Sequence, residues 1–347
     1  MQLWNKLNKE ELEIQLREIG HEFMTLSFYQ YAQIPNPHLF RDHLFLMWSK
    51  LEVVGRTYIA NEGINAQIAV PTKNISDFRE ELYQIDFLNG IRLNFAVDES
   101  EAEFAFLKLK IKVRAKILAD GLNDDTFDVT QKGKHLNAEE FNSLTNDPET
   151  LLIDFRNHYE SEVGYFKGAI RPDVDTFRDS LPLIENEILK GNEDKKIVMY
   201  CTGGIRCEKA SAWFKHRGFQ NVHQLEGGII KYARDVKEQG IENKFKGKNF
   251  VFDERRGERI TDEIIAVCHL CGTAADTHTN CFNSACHLLF IQCENCKEKL
   301  DNCCSTKCQD ISHLSIEAQK ELRKGLNNSN QIFKKGRANH LTYKNKD

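Results

Sequence analysis

Hydrophobic and polar positions change their period three times along the chain. Up to about residue 115, short alternating runs are separated by helical ones. Residues 21–34, dense in aromatic and apolar side chains, predict a strand, and residues 35–51 place Phe40, Leu44, Leu46 and Met47 at helical spacing. Residues 53–60 and 64–70 predict two strands joined by a tight hairpin at Asn61-Glu62-Gly63. A helix over 74–83, a short strand over 91–97 and a longer one over 104–114 follow. The order β-α-β-β-α-β is the split motif of ferredoxin-like folds, here with one strand to spare.

From about residue 120 to 240 the pattern switches to short apolar runs followed by helical ones. Leu151-Leu152-Ile153 ends at Asp154, and residues 196–200 run straight into Cys201. Residues 208–216 have helical character and stop at Gly218, a residue suited to the left-handed position past a helix end. Residues 222–225 predict a third strand, followed by Gly227-Gly228 and a helical run over 229–236, and Asn137 with Glu140 marks a further helix start. Strands alternating with helices predict a parallel sheet covered on both faces. The third region, 268–308, holds nine of the eleven cysteines. The chain thus divides into 1–118, 119–245, a Cys-rich, zinc-binding segment 246–312 and a polar basic tail 313–347, whose part after Asn327 carries Lys334, Lys335, Arg337, Lys344 and Lys346 and is expected to be mobile.

Composition narrows the function classes. A chain of 347 residues, 41% hydrophobic and 29% charged, holds more than one globular core. Its net charge of −5 excludes bulk attraction to a polyanion, so any nucleic-acid contact must come from a local patch. Residues 1–20 mix Lys, Glu and Arg without an apolar stretch, which argues against a signal peptide, and no run reaches the ~18 apolar residues of a membrane span. A cytoplasmic protein with no membrane partner is expected, in which cysteines serve as metal ligands or reactive thiols rather than disulfides. No haem motif, flavin or nicotinamide fingerprint or iron triad stands in the sequence.

The chemistry concentrates at Cys201-Thr202-Gly203-Gly204-Ile205-Arg206. A strand ends at Tyr200 and a helix begins near Cys207, so loop N–H groups and the helix N-terminus can stabilise an anionic sulfur. Gly203 and Gly204 permit tight curvature, and Arg206 adds a positive charge. Cys207 is either a second redox thiol that resolves an oxidised Cys201 or a small buried helix residue. A structural cysteine beside a glycine turn is the bland alternative, disfavoured by the position at the C-terminal end of a parallel strand.

Two further patterns carry chemistry. In residues 104–114, Leu107, Leu109, Ile111 and Val113 share one face of a strand, and Lys108, Lys110, Lys112 and Arg114 share the other. The four cations form either a stripe for nucleic-acid phosphates or a lysine guard on a sheet edge. Cys268-x-x-Cys271 and Cys293-x-x-Cys296 have the spacing of a tetrahedral, structural zinc site. Cys281, Cys286, Cys303, Cys304, Cys308, His269, His278 and His287 are enough for a second ion. Reduced buried cysteines or redox thiols are the alternatives.

The Cys201 loop resembles a rhodanese active site. Asp154-Phe155-Arg156 resembles that family's Asp-x-Arg element, Glu162-x-Gly164 and Phe166-x-Gly168-Ala169-Ile170 its Gly-Ala segment, with Tyr165 where histidine is usual, and Leu225-Glu226-Gly227-Gly228 its Gly-Gly ending. Phosphatases of the same fold need arginine where Cys207 stands. Together with Ala60-Asn61-Glu62-Gly63-Ile64-Asn65, Phe106-Leu107-Lys108-Leu109-Lys110, Cys268-His269-x-Cys271-Gly272, Asn280-Cys281 and Cys303-Cys304-Ser305, these motifs resemble the bacterial rhodanese-related tRNA uridine hydroxylase family over nearly the full length. The resemblance implies an α/β chain with a ferredoxin-like, acylphosphatase-like α+β N-terminal domain, a central rhodanese domain and a Cys-rich C-terminal segment. It implies an oxidoreductase that uses O2 as co-substrate to convert the wobble uridine (34) of tRNA to 5-hydroxyuridine. Cys201 would then work through a persulfide fed by a sulfur donor, Arg206 would stabilise its anion, and Asp154 and Arg156 would support the loop. Lys108, Lys110, Lys112 and Arg114 would hold tRNA phosphates. Sulfurtransfer at the same cysteine and a non-catalytic RNA-binding module remain the rival functions.

Overall fold

The computed structural model describes residues 9–20, 22–325, 338–341 and 343. His21, the start of the first expected strand, and the tail cations Lys334, Lys335, Arg337, Lys344 and Lys346 lie outside the described residues.

After helix α1 (Lys9–Ile19), the N-terminal region runs β1 (Phe23–Tyr31), α2 (Pro37–Lys50), β2 (Val54–Ala60), β3 (Gly63–Pro71), α3 (Ile75–Tyr83), β4 (Asn94–Phe95) and β5 (Leu109–Val113). The strands form one sheet in the order β4-β1-β3-β2-β5, the ferredoxin-like order with β5 added parallel to β2. Leu26 and Phe28 of β1 face α2 and α3, where they share a core with Leu44, Trp48, Phe78 and Leu82. Period-two alternation therefore turns Thr25, Ser27 and Tyr29 to the opposite face.

Two strands are shorter than their patterns suggest. Leu109 already pairs with Gly55, next to the start of β2, and the Lys108 carbonyl accepts the Gly55 N–H at 3.0 Å, so residues 104–107 lie beyond the end of the ladder. Phe104 packs edge-on against Phe23 instead, and the Ala105 carbonyl accepts from Glu254 N–H at 3.1 Å. At β4 the ladder stops because Thr25 donates its N–H to the Glu99 carboxylate at 2.8 Å.

The central region runs β6 (Lys134–Leu136), α4 (Ala138–Leu144), β7 (Leu151–Asp154), α5 (His158–Ser161), β8 (Gly164–Phe166), α6 (Phe177–Leu183), β9 (Ile197–Tyr200), α7 (Ile205–His216), β10 (Val222–Leu225) and α8 (Gly228–Gln239). Strands β6, β10, β9 and β7 form a parallel sheet in that order. Ile153, Ile197 and Met199 pack on one side with Leu181 and Phe214 of α6 and α7, while Leu152, Val198 and Tyr200 pack on the other with Phe141 and Tyr232 of α4 and α8. The capping box at Asn137 and Glu140 is formed.

The C-terminal region comprises β11 (Phe245–Asn249), β12 (Glu258–Arg259), β13 (His278–Asn280), β14 (Leu289–Ile291), α9 (Glu294–Lys299), α10 (Thr306–Ser312) and α11 (Ile316–Arg323). Strand β11 pairs antiparallel with β8, so it straddles the division expected at residue 245 and stitches the Cys-rich segment to the central sheet region. In the expected tail, Ala338 and Leu341 pack against Cys281, Leu288 and Phe290, and Tyr343 donates its N–H to the His269 carbonyl at 3.1 Å.

A buried ion cluster joins the first two regions. Lys209 of α7 is 1% exposed and bonds Glu62 of the β2–β3 hairpin at 2.9 Å and Asp120 at 2.6 Å. Replacing one partner of such a cluster strands the others away from water. Lys209→Met is expected to destabilise the protein by about 3 kcal/mol, read as a lower midpoint in urea unfolding.

Candidate active site

Cys201 leaves β9 at the C-terminal edge of the parallel sheet and is wholly buried. Its carbonyl accepts the Ile229 N–H of α8 at 3.0 Å. That approach requires glycine at 228, where φ is +66° and a Cβ would stand 2.5 Å from the same carbonyl oxygen. Gly204, at φ +101°, turns the chain into α7, and a Cβ there would meet the Tyr29 hydroxyl at 2.9 Å.

The turn delivers the Gly204 N–H to the Cys201 sulfur at 3.2 Å. Burial alone pushes this thiol up. The Cys207 thiol, the Arg206 charge and the N–H groups of Cys207 and Gly204 outweigh it and bring the pKa down to about 6. Cys207 is driven the other way, first by burial and then by Cys201, so it stays protonated and donates to the thiolate.

Arg206 does not stand free. Its guanidinium grips Glu160 of α5 with bonds of 2.6 and 2.8 Å, and Glu160 also accepts the Asn157 N–H at 3.0 Å. Sequence reasoning missed Glu160, although Asn157 with Glu160 three residues on is a capping-box signal. Asp154 and Arg156 form a second buried pair at 2.6 Å; Tyr200 donates its hydroxyl to Asp154 at 2.7 Å, and Arg156 bonds the Gly164 carbonyl at 2.6 Å. This pair ties the ends of β7, β8 and β9 together beneath the loop. Tyr165 lies under the Arg171 guanidinium, 4.0 Å from ring centroid to Cζ.

A cavity of about 250 Å3 opens at Cys201 between all three regions. The Cys201 loop forms its floor, Ser27, Tyr29, Gln67 and Asn94 of the N-terminal sheet form one wall, and Phe252, Asp253, Arg255 and Glu258 form the other. Burial raises the Glu258 carboxyl to about 7 against the pull of Arg255, which bonds it at 2.9 Å. No local pattern marks these wall residues, which only packing brings together.

Lys110, Lys112 and Arg114 are exposed and Lys108 is half-buried along the edge strand β5. Burial, then Lys108, Lys112 and Arg56, lower the Lys110 pKa, so these cations crowd one another. A groove of about 430 Å3 along Arg56, Lys108 and Lys110 shares Val251, Phe252 and Asp253 with the Cys201 cavity.

The cysteines of the C-terminal region gather into two groups of four. Cys268, Cys271, Cys293 and Cys296 converge with all four sulfurs within 4.8 Å of one another, and Cys281, Cys286, Cys304 and Cys308 do the same. The two sets interleave along the chain. Cys303 stands outside both, 3.7 Å from the Ser312 hydroxyl. Neither set includes a histidine: His269 lies 2.7 Å from the Glu162 carboxylate and accepts the Ile291 N–H at 3.2 Å, and His287 contacts Asn280. Among the described residues no helix is long and apolar enough to cross a membrane.

Three family models match in series: a UPF0176 acylphosphatase-like domain over residues 23–117, a rhodanese-like domain over 137–235 and a rhodanese C-terminal domain over 246–309. Among solved structures, a rhodanese-like domain of Anabaena is 18% identical over 33% of this chain and 78% of its own, with a TM-score of 0.27. A single-domain sulfurtransferase of Saccharomyces cerevisiae is 23% identical over 30% of this chain and 93% of its own, with a TM-score of 0.26. The tRNA uridine(34) hydroxylase of Leptospira interrogans is 51% identical over 96% of this chain and 90% of its own. That of Photorhabdus laumondii is 50% identical over 96% of this chain and 95% of its own. With half its residues shared over nearly its whole length, the chain belongs to the tRNA uridine(34) hydroxylase family.

Proposed function

We propose that this protein hydroxylates uridine 34 of tRNA, with Cys201 as the working nucleophile. The observation that carries this function is the open cavity that Cys201, with a thiol pKa of about 6, lines together with a polar sheet wall that continues to a basic edge. An anticodon-loop uridine is unpaired, so it can be splayed into such a cavity at little cost.

Replacing C5–H by C5–OH takes two electrons from the base; with O2 as co-substrate one oxygen atom enters the base, and the other leaves as water with two electrons and two protons from an external thiol reductant, which is oxidised to its disulfide. Cys201 is anionic at neutral pH and carries sulfane sulfur from a donor as a persulfide. The Gly204 N–H and the Cys207 thiol hold the negative charge, and Arg206, itself held by Glu160, adds the positive field. Asp154 and Arg156 act through the loop, whose position they maintain. Lys108, Lys110, Lys112 and Arg114 take up tRNA phosphates, which position the substrate without reading its sequence.

The two thiolate sets fit Zn2+, which favours tetrahedral sulfur donors and, with all four positions filled by protein, acts structurally. The Cys268 set sits in one core with Tyr159 of α5 and Phe250, so a metal there would hold the cavity wall 251–258 against the helix that carries Glu160. A metal held there, beside the active-site scaffold, would be a brace rather than a reactant.

Alkylation of Cys201 by iodoacetamide should rise with pH through about 6 and level off above it. Arg206→Met removes the cation and bares Glu160, so the midpoint should move up toward the ordinary thiol value of about 8.5. Metal analysis of the purified chain should find two zinc ions, and Cys296→Ser should retain one and unfold at lower temperature. In cells lacking the protein, nucleoside mass spectrometry should show loss of wobble 5-hydroxyuridine, restored by wild type and not by Cys201→Ser. Loss of a thiolated nucleoside in its place would establish sulfurtransfer, and restoration by Cys201→Ser would establish a non-catalytic role.

A further inference from the structure

The pairing registers place one unbroken row of side chains across the open face of the N-terminal sheet. Lys110 of β5 pairs with Arg56 of β2, Arg56 with Gln67 of β3, Gln67 with Ser27 of β1, and Ser27 with Asn94 of β4. All five lie on the face away from α2 and α3, because Leu26, Ala66, Thr57 and Ile111, their neighbours in sequence, are buried on the other side. The row begins at the basic edge and ends beneath the catalytic loop: a Cβ on Gly203 would lie 3.8 Å from the Ser27 hydroxyl, and Asn94 Nδ2 approaches the Gly203 carbonyl at 3.5 Å. From Lys110 to Ser27 is three strand spacings, or about 14–15 Å, a distance that a short run of unstacked nucleotides covers. Arg56 stands at the junction of groove and cavity, donating to the Phe252 carbonyl at 2.6 Å.

The inner part of the row is oriented. Asn65 donates its Nδ2 to the backbone carbonyl of Ile117 at 3.2 Å, which fixes its Oδ1 as an acceptor. Gln67 donates its Nε2 to that Oδ1. The relay therefore fixes which way the Gln67 amide points and leaves its carbonyl oxygen as an acceptor on the cavity wall, with the Ser27 hydroxyl beside it as a donor. Uracil presents a donor at N3 next to an acceptor at O4, whereas cytosine presents an acceptor at N3 next to an amino donor. The wall matches uracil, and against cytosine it sets the Gln67 carbonyl opposite the N3 lone pair.

We propose that this row is the substrate track and base reader: Lys110 and Arg56 hold the backbone of a single-stranded RNA segment, and Gln67 with Ser27, oriented by Asn65, selects uracil for presentation to Cys201. The proposal rests on the function given above and adds to it the residues that choose the base. Leaving a buried acceptor opposed by another acceptor is costly, and discrimination of about tenfold or more follows.

The test uses the full chain and two anticodon stem-loop RNAs that differ only in U or C at the target position. Wild type should bind the U form at least about tenfold more tightly. Gln67→Ala should bring the ratio close to one. Asn65→Ala, which frees the Gln67 amide to turn over, should also lower the ratio while leaving affinity for the C form equal or improved. Lys110→Glu should weaken both RNAs by the same factor and flatten the salt dependence. A U-to-C ratio unchanged in both Gln67→Ala and Asn65→Ala overturns the reader, and unchanged affinities in Lys110→Glu overturn the track. Either failure, with wobble 5-hydroxyuridine still lost in cells lacking the protein, leaves the hydroxylase function standing. Undiminished 5-hydroxyuridine in those cells removes the function itself.

Discussion

A thiolate withdrawn from water has to be compensated, and much of this molecule is organised around that requirement. The Cys201 sulfur is wholly buried, yet its charged form is favoured near neutrality because three kinds of group replace the lost hydration: backbone N–H groups, the Cys207 thiol and the Arg206 cation. The cation in turn needs its own partner, since a guanidinium alone in an apolar site costs more than it returns. Glu160 meets that need through a bidentate grip, and the cap at Asn157 holds Glu160 in place. Removing Glu160 or Arg206 leaves the other as an unpaired buried charge.

The second constraint is the open face of the N-terminal sheet. A ferredoxin-like sheet buries one face under its helices and leaves the other polar. Here the central region occupies part of that face, with Tyr29 against Gly204 and Lys209 clamped to Glu62 and Asp120. The docking converts an exposed polar surface into a cavity wall, while the edge strand with Lys110 and Lys112 stays exposed. Basic edge and Cys201 thereby share one surface although Lys110 and Cys201 stand 91 positions apart in the sequence.

The C-terminal region completes the enclosure. Its strand β11 is fastened to β8, and its two cysteine sets alternate along the sequence, so each draws together segments that flank the other. Such an arrangement gives a small segment with little apolar core a defined shape. The segment over 250–258 then presents Phe252, Arg255 and Glu258 to the cavity from the side opposite the sheet.

The elements, the strand-loop-helix around Cys201 and the Cys-x2-Cys knuckles were legible in the sequence because each depends on residues a few positions apart: alternation sets a strand face, a glycine permits a turn, and two thiols on one knuckle reach one ion. The alternation of Lys110 and Lys112 with Ile111 was legible for the same reason, although the strand proved shorter than its pattern because β2 begins too late to pair with residues 104–107. What only the tertiary structure decided is which distant groups meet. Glu160 reaches Arg206 across 46 residues, Ser27, Gln67 and Asn94 line up through strand register, and Glu258 arrives from a separate region. It also sorted the cysteines, placing Cys308 in a set and Cys303 outside one. Local periodicity carries no record of these encounters, since they are set by how whole sheets and helices pack.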